Sequence, residues 1–315
     1  MSAAAINQGT HDAANTLFVD AFNEIFSKAD KGALERYTQI IPADAETVEL
    51  DAQVDLGVVR EWIGPKEFGT GRAYKLAVAF RKWEKSLKLP RSKVKYDKSG
   101  TLASRFKQWM SEQVGFWDKV MTDTLVSASG AGPTGYDGVA LLSTAHPHGP
   151  DGGTQSNKGT SALTFSTYET AKVAMGSLAK ENGEPLRISP KFLMVGPKLE
   201  RIAKEITQSK ERVIAVDNAG VETGTRVAAA GVTNVFSGGE VDLIINHRLR
   251  GTYDDYWYLG AGPFMALVLQ RDVEPCFLDA MDSETRFIMD ELMYSLEGDA
   301  SPAAYAWQNV YGGIL

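Results

Sequence analysis

Cysteine and histidine are scarce in this 315-residue chain, and their scarcity excludes several kinds of site. Cys276 is the single cysteine, so no internal disulfide framework can form, and the composition fits synthesis in a reducing compartment. The four histidines include one close pair, His146 and His148. A zinc site needs three or four ligands, so this pair would need carboxylates from elsewhere in the chain. The sequence therefore does not support a metal site.

Long apolar runs, targeting signals and familiar catalytic motifs are also missing. No stretch of about 18 apolar residues occurs, so we expect no membrane span and no membrane partner. The first residues, MSAAAINQGTHDAAN, lack a basic segment followed by an apolar run, so no signal peptide is predicted. Neither a P-loop nor a G-x-S-x-G nucleophile motif is present. We therefore expect a protein that is not an enzyme and needs no cofactor.

Three stretches could suggest chemistry. GAGPTG at 130–135 matches the dinucleotide pattern G-x-G-x-x-G, but a helical pattern precedes it and none follows, which favours a helix stop and a turn. Cys276 has no neighbouring histidine to activate it, so we interpret it as a small buried hydrophobic residue. The stretch HPHGPD at 146–151 could supply metal ligands, catalytic bases or only a loop, and the incomplete ligand set favours the loop.

An amphipathic helix is predicted over residues 12–28. Its apolar residues recur at helical spacing and form one stripe: Leu17, Phe18, Ala21, Phe22, Ile25 and Phe26. The stripe could pack on the chain's own domain or on the surface of a partner, and the pattern leaves both open.

Positive charge is concentrated in residues 72–98. Ten lysines and arginines stand there against two acidic residues, a local charge of +8 that leaves −15 on the rest of the chain. Alternation over 74–80 and a second short run over 86–89 predict a β-hairpin with its connection near 82–85. A basic hairpin on an acidic body suggests contact with another copy of that body or with nucleic acid.

The remainder of the chain has a mixed α and β pattern. The spacing predicts a helix of roughly 40 Å from 99 to 127. Further on, Ser166 with Glu169 predicts a capped helix to about residue 180. We also expect a buried strand in PKFLMVG, a helix after Pro197, and a long exposed loop over 217–239. Four more strands are predicted in VDLIIN, YWYL, FMALVL and TRFIMDELMYSL.

Seven stretches together resemble one family. They are AFNEIF (21–26), VREWIG (59–64), KLAVAFRKWEKSLKLPR (75–91), LLSTAHP (141–147) with TQSN (154–157) behind it, PFMALVLQRDVEP (263–275), TRFIMDELMYSLEG (285–298) and AYAWQNVYG (304–312). Their order and wording are similar to the Mu-like major head protein family of tailed bacteriophages, whose members share the Hong Kong 97-type capsid fold.

The resemblance implies an α+β chain in five parts. These are an N-terminal arm and lead-in (1–67), an extended β-hairpin loop (68–98), a peripheral domain with a long spine helix (99–163), an axial domain (164–262), and return strands with a C-terminal tail (263–315). In this family the STAHP stretch has no enzymatic role, so it is expected to be a structural loop. The stretch 211–239 is longer than usual for the family.

The implied function is that of a major capsid protein. Such a chain assembles with itself into hexamers and pentamers of an icosahedral head shell, which encloses DNA without sequence-specific binding. An encapsulin-type nanocompartment shell is the alternative, because the same fold supports it. The candidate contact residues between subunits are Phe22 and Phe26 in the arm, and Arg72, Lys75, Arg81, Lys82, Lys85 and Lys88 in the basic segment.

The resemblance also implies partners and a location. Because the likeness begins near residue 20, a separate scaffolding protein is expected rather than a cleaved N-terminal extension. A portal is expected as a further partner, with decoration proteins as an option. The protein is expected in the virion, after assembly in the host cytoplasm.

Overall fold

The computed structural model describes residues 3–28, 32–53, 73–97, 100–148, 153–180, 183–217, 227–277 and 291–315. Its helices are α1 (Ala3–Phe26), α2 (Gly32–Tyr37), α3 (Arg91–Lys95), α4 (Thr101–Gln113), α5 (Phe116–Leu125), α6 (Phe165–Gly176) and α7 (Glu200–Thr207). Its strands are β1 (Thr38–Pro42), β2 (Thr47–Gln53), β3 (Ala73–Ala79), β4 (Lys82–Pro90), β5 (His146–His148), β6 (Gly153–Gln155), β7 (Lys158–Gly159), β8 (Phe192–Val195), β9 (Glu211–Asp217), β10 (Val227–Thr233), β11 (Asp242–Ile245), β12 (Trp257–Gly260), β13 (Met265–Phe277), β14 (Glu291–Ala304) and β15 (Val310–Gly313).

A four-stranded sheet, in the order β1-β13-β14-β4, carries the spine helices. Its long central strands are antiparallel, and β1 runs parallel to β13. Alternation along β13 assigns each face to a different neighbour. Met265 and Leu267 pack in the main core, the cluster of buried residues that also contains Phe106, Trp117 and Tyr294. Val268, on the other face, packs with Val78 of β3. The apolar run MALV is buried because both faces of this part of the strand are covered.

The spine is two helices rather than the single long helix that the spacing predicted. The helical pattern is interrupted at Val114 and Gly115, and Gly115 has φ −88° and ψ 35°. Glycine is a poor helix former, and the Gly115 carbonyl accepts a hydrogen bond from Arg248 Nη2 at 3.0 Å. The predicted apolar face is confirmed for Phe106, Met110 and Trp117, which are buried, while Trp109 is half-buried.

The predicted pairing of the basic hairpin is wrong, although both of its strands exist. β3 pairs with β2 in an antiparallel two-stranded sheet, and β4 pairs with β14 along its whole length. Only Phe80 and Arg81 separate β3 from β4, so the chain passes from one sheet directly to another. The stretch over 86–89 is part of a nine-residue strand because β14 offers it a long partner edge.

A five-stranded sheet, in the order β11-β8-β12-β15-β7, forms the second layer. Leu193 and Val195 face a cluster with α6 and α7, while Phe192 and Met194 belong to the main core. Both faces are therefore buried, as expected from the continuous apolar run in PKFLMVG. The C-terminal strand β15 lies inside this sheet, between β12 and β7.

Several smaller predictions are settled by the described residues. The strands expected in VDLIIN, YWYL and FMALVL, and in the later part of TRFIMDELMYSL, are confirmed. The predicted loop over 217–239 is wrong in part, because Val227–Thr233 pairs with Glu211–Asp217 in a hairpin whose tip lies outside the described residues. The predicted capping residues Ser166 and Glu169 are wrong, because the capping box of α6 is made by Thr164 and Thr167, and the helix ends at Gly176 rather than near residue 180.

The GAGPTG stretch is a helix stop, as predicted. Helix α5 ends at Leu125, and Gly130 and Gly132 have φ of +85° and +77°, values that favour glycine. Cys276, which the sequence predicted to be buried, is exposed. The alternating pattern of β13 explains this, because Val273 and Phe277 pack on the main core, so Cys276, on the other face of the strand, points outward.

Candidate functional site

The basic strand β4 is an edge of the four-stranded sheet. Trp83 and Leu87 pack against the main core, so the alternate residues Lys82 and Lys88 point to the opposite face. Lys85 shares the core-side face, opposite Leu296, yet its side chain is exposed. Lys82 Nζ lies 5.9 Å from the centre of the Phe80 ring. Two of the three predicted lysines therefore share one outward face, and the third does not.

The other predicted cations are distributed differently. Lys75 on β3 forms an ion pair with Glu49 on β2, so its charge is locally compensated. Arg81 is exposed, and its carbonyl accepts the backbone N–H of Ala300 at 3.1 Å. Arg72 lies outside the described residues. The structure thus places Arg81, Lys82 and Lys88 at one sheet edge and Lys75 in a separate ribbon.

The apolar stripe of α1 divides between the core and a groove. Phe18 is fully buried against Phe106 and Tyr294, with ring centres 5.2 and 4.7 Å apart. Phe22 and Phe26, the two predicted contact residues, are half-buried and stack at 4.5 Å. These two rings line a groove of about 350 Å³ together with Val114, Phe116 and Trp117. The first half of the stripe therefore packs on its own chain, and the second half forms a groove wall.

A larger cavity of about 710 Å³ lies beside the break in the spine, between α2, α5 and the segment after β11. Tyr37 donates to Asp118 Oδ1 at 2.9 Å, and Arg248 Nε donates to Asp118 Oδ2 at 2.9 Å. Burial, reinforced by the Asp118 carboxylate, raises the pKa of Tyr37 well above its usual range. The network fastens α2 and the loop carrying Arg248 to the second spine helix.

His146 is completely buried, and the stretch predicted to be a loop is in part a strand, because His146–His148 pairs with Gly153–Gln155. The Nδ1 of His146 lies 2.6 Å from Asp137 Oδ2, and its Nε2 lies 3.1 Å from Asn157 Oδ1. The imidazole stacks on the indole of Trp307 with ring centres 4.0 Å apart and planes within 1° of parallel. We name these four side chains the His146 cluster. They join the turn after the spine, the β5–β6 ribbon and the C-terminal tail.

The described part of the chain holds no group of three or more His, Cys, Asp or Glu side chains arranged to bind a metal. Within the same ranges, no helix combines the length and apolarity needed to cross a membrane. The sequence had singled out His146 but not Asp137 as its partner. Asn157 and Trp307 lay inside stretches noted for resemblance, so the family likeness was the one signal that could have linked them.

Comparisons with known proteins agree with this architecture. The family model described as "Mu-like prophage major head subunit gpT" matches residues 13–164 and 158–228. No curated protein matches the chain. In a capsid chain of bacteriophage PhiM1, 91% of this chain aligns with 87% of that chain at 9% identity and a TM-score of 0.55. The capsid of a native GTA particle matches at 9% identity, with 90% and 89% coverage and a TM-score of 0.54.

Bacteriophage JBD30 provides further solved relatives. All of this chain aligns with 76% of a chain from the JBD30 procapsid, at 14% identity and a TM-score of 0.50. The chain spans 65% of a chain from the JBD30 capsid, at 11% identity and a TM-score of 0.49. Identities this low show a shared fold, and the family match extends over more than half of the chain. The chain therefore belongs to the Mu-like prophage major head subunit family, and it has the Hong Kong 97-type capsid fold.

Proposed function

We propose that this chain assembles with itself into hexamers and pentamers, and that these build an icosahedral head shell around the viral genome. The observation that carries the proposal is the edge strand β4, whose outward face presents Lys82 and Lys88. Among the described residues, neither lysine forms an ion pair, although the rest of the chain carries a net negative charge. A surface of this kind complements the acidic body of another copy.

The energetics suit an assembly that is held by many weak contacts. An exposed ion pair contributes only about 0–1 kcal/mol, so one such contact would not hold two subunits together. A closed shell repeats the contact around every subunit, which multiplies its effect. The groove lined by Phe22 and Phe26 supplies apolar surface for the less salt-sensitive part of the contact.

The proposed role is structural and involves no catalysis. Partners would be other copies of the chain, a separate scaffolding protein, a portal, and optional decoration proteins. The chain would enclose DNA without reading its sequence, would be assembled in the host cytoplasm, and would remain in the virion. The division of the chain into arm, extended loop, peripheral domain, axial domain and tail at the boundaries given above also stays a prediction.

The double variant Lys82→Glu/Lys88→Glu tests the contact. Both side chains are exposed, so the subunit should keep its thermal stability within experimental error, while assembly without nucleic acid should fall severalfold. The matched control is Lys93→Glu/Lys95→Glu, which makes the same charge change on α3, in the same basic segment. Size-exclusion chromatography and electron microscopy measure the yield of capsomers and shells.

The outcomes separate the rival accounts of the basic strand. If the strand binds packaged DNA instead, the β4 variant should assemble normally, and the affinity of the parent for DNA should fall steeply with salt. If the lysines form only a solvated face, both double variants should behave like the parent. Either result would contradict the proposed contact between subunits.

A further inference from the structure

We infer that Asp137 and His146 hold one shared proton in the folded chain, and that this proton fastens the C-terminal tail. The inference goes beyond shell formation and rests on the hydrogen bonds of the His146 cluster. The position of the proton depends on which atom donates each hydrogen bond, and the neighbours of Asn157 determine this.

The Asn157 side chain has only one orientation that satisfies its surroundings. Its Nδ2 donates to the carbonyl oxygens of Leu141 at 2.8 Å and Trp307 at 3.0 Å. Its Oδ1 accepts the backbone N–H of Ser143 at 2.9 Å. Exchanging the two atoms would place the amide nitrogen against an N–H donor and the oxygen against two carbonyls. Asn157 Oδ1 is therefore an acceptor, and His146 Nε2, 3.1 Å away, must carry a hydrogen.

The other ring nitrogen faces a carboxylate. Asp137 Oδ2 lies 2.6 Å from His146 Nδ1, and Asp137 Oδ1 accepts the backbone N–H of Val139 at 3.1 Å. With Nε2 protonated, a neutral imidazole has a bare lone pair at Nδ1, and an ionised Asp137 has only lone pairs to offer. The short contact therefore needs one more proton. It can reside on Nδ1, giving an imidazolium–carboxylate pair, or on Asp137, and in both cases the pair holds it jointly.

The surroundings favour keeping that proton. The groups that face the imidazole are the Asp137 carboxyl, the Asn157 amide and the Trp307 indole. In the described part of the chain, no lysine or arginine pairs with Asp137. The site is almost dry, with the His146 side chain 0% and the Asp137 side chain 7% exposed. An imidazolium stacked on an indole face is also stabilised by the negative face of that ring.

The cluster connects directly to the tail. Trp307 stacks on His146, and its carbonyl accepts from Asn157. A few residues later, Gly312 N donates to the carbonyl of Asn157 at 2.9 Å, and Ile314 N donates to that of Gly159 at 2.8 Å. The tail strand β15 then lies inside the five-stranded sheet. Loss of the shared proton leaves two facing lone pairs in a buried site, which weakens this whole attachment.

The sign of the pH dependence follows from proton binding. An unfolded chain releases its histidine proton near about pH 6.5 and its aspartate proton near about pH 3.9. A folded chain that keeps the shared proton above about pH 6.5 holds one proton more than the unfolded chain, so raising the pH there favours unfolding. The stabilisation is fully present between about pH 3.9 and about pH 6.5, where the unfolded chain also holds one of these two protons, and it decreases as the pH rises above about 6.5.

The isosteric variant Asp137→Asn tests the inference. The neutral amide introduced by this substitution can donate to Nδ1 and still accept from Val139, so a neutral His146 satisfies the whole cluster. Denaturant unfolding of the full chain, as unassembled subunits, should be measured between pH 7 and 9. The unfolding constant of the parent should rise more steeply, by up to about tenfold per pH unit, than that of Asp137→Asn. Asp123→Asn, at an exposed position, is the control and should follow the parent.

A second measurement does not depend on the variant's folding. Nitrogen-15 NMR of the histidine-labelled parent at pH 7.5, with His146 assigned by its absence in His146→Gln, reports the hydrogens on both ring nitrogens. We expect an imidazolium or a neutral Nε2–H ring whose Nδ1 accepts a proton from Asp137. A neutral ring with its single hydrogen on Nδ1 would overturn the inference. So would equal pH slopes for the parent and Asp137→Asn.

Discussion

Gly130 lies at a residue position where the fold leaves no room for a side chain. A Cβ built there would lie 2.5 Å from Tyr256 Cε2 and 2.8 Å from Ile314 Cγ2, and the residue has φ +85°. Gly138 has a similar φ of +77°, but a Cβ built there would meet no atom within 4 Å outside the two adjacent residues. The two glycines therefore separate backbone strain from steric crowding.

Replacement of each glycine by alanine gives a direct prediction. Gly138→Ala should cost about 1–2 kcal/mol of unfolding free energy, because only the left-handed backbone is strained. Gly130→Ala should cost about 1–3 kcal/mol more, because the added methyl group also crowds Tyr256 and the C-terminal tail. Urea unfolding of the two variants measures the difference. Equal losses would show that Gly130 is not crowded in solution.

At the same scale, single residues mark the limits of prediction from the sequence. His146 could be singled out as one of few histidines, but its burial depends on Asp137, Asn157 and Trp307. Trp307 is separated from His146 by more than half of the chain, and no local pattern encodes that contact. The exposure of Cys276 was missed for a related reason, since it depends on which face of β13 packs on the core.

At the scale of elements, the break in the spine is held by one side chain. Arg248 donates to the Gly115 carbonyl and to Asp118. It therefore links the break between α4 and α5 to the first turn of α5. Both Arg248 and Asp118 are one-third exposed. The bridge also forms a wall of the 710 Å³ cavity, where Tyr37 contacts the same carboxylate.

Arg248→Ala should lower the free energy of unfolding by about 1.5–3 kcal/mol, because hydrogen bonds that involve a charged group contribute about this much. Arg201→Ala is the matched control. It removes an arginine whose ion pair with Glu205 lies on the exposed face of α7, and it should cost no more than about 0.5 kcal/mol. Thermal or urea unfolding compares them, and similar losses would contradict the bridge.

Helices and strands were predictable where a local pattern identifies them. The prediction of strand pairing failed where the partner strand lies far away in the sequence. The apolar run of β8 and the alternation of β3 were visible in the sequence, and both are strands. The partner of β4, however, is β14, about 200 residues further along the chain. Proximity in sequence suggested β3 instead. The interruption at Gly115 was likewise hidden, because the apolar spacing continues from α4 into α5.

At the scale of the whole molecule, two sheets share one main core. The four-stranded sheet carries the spine, the five-stranded sheet contains the C-terminal strand, and the main core includes residues from both. The basic edge strand β4 and the aromatic groove beside α1 lie on the surface of this unit. The family likeness could be recognised from seven ordered stretches, whereas the geometry of contacts between subunits is not encoded in any local pattern.

The central claim is that this unit is made to assemble with copies of itself. Cryo-electron microscopy of the purified full chain, over a range of concentrations and without nucleic acid, tests it most directly. We predict ring-shaped hexamers or pentamers, or closed shells, with the β4 edge of one subunit against its neighbour. A population that stays monomeric at every concentration, with or without a co-expressed scaffolding protein, would contradict the account.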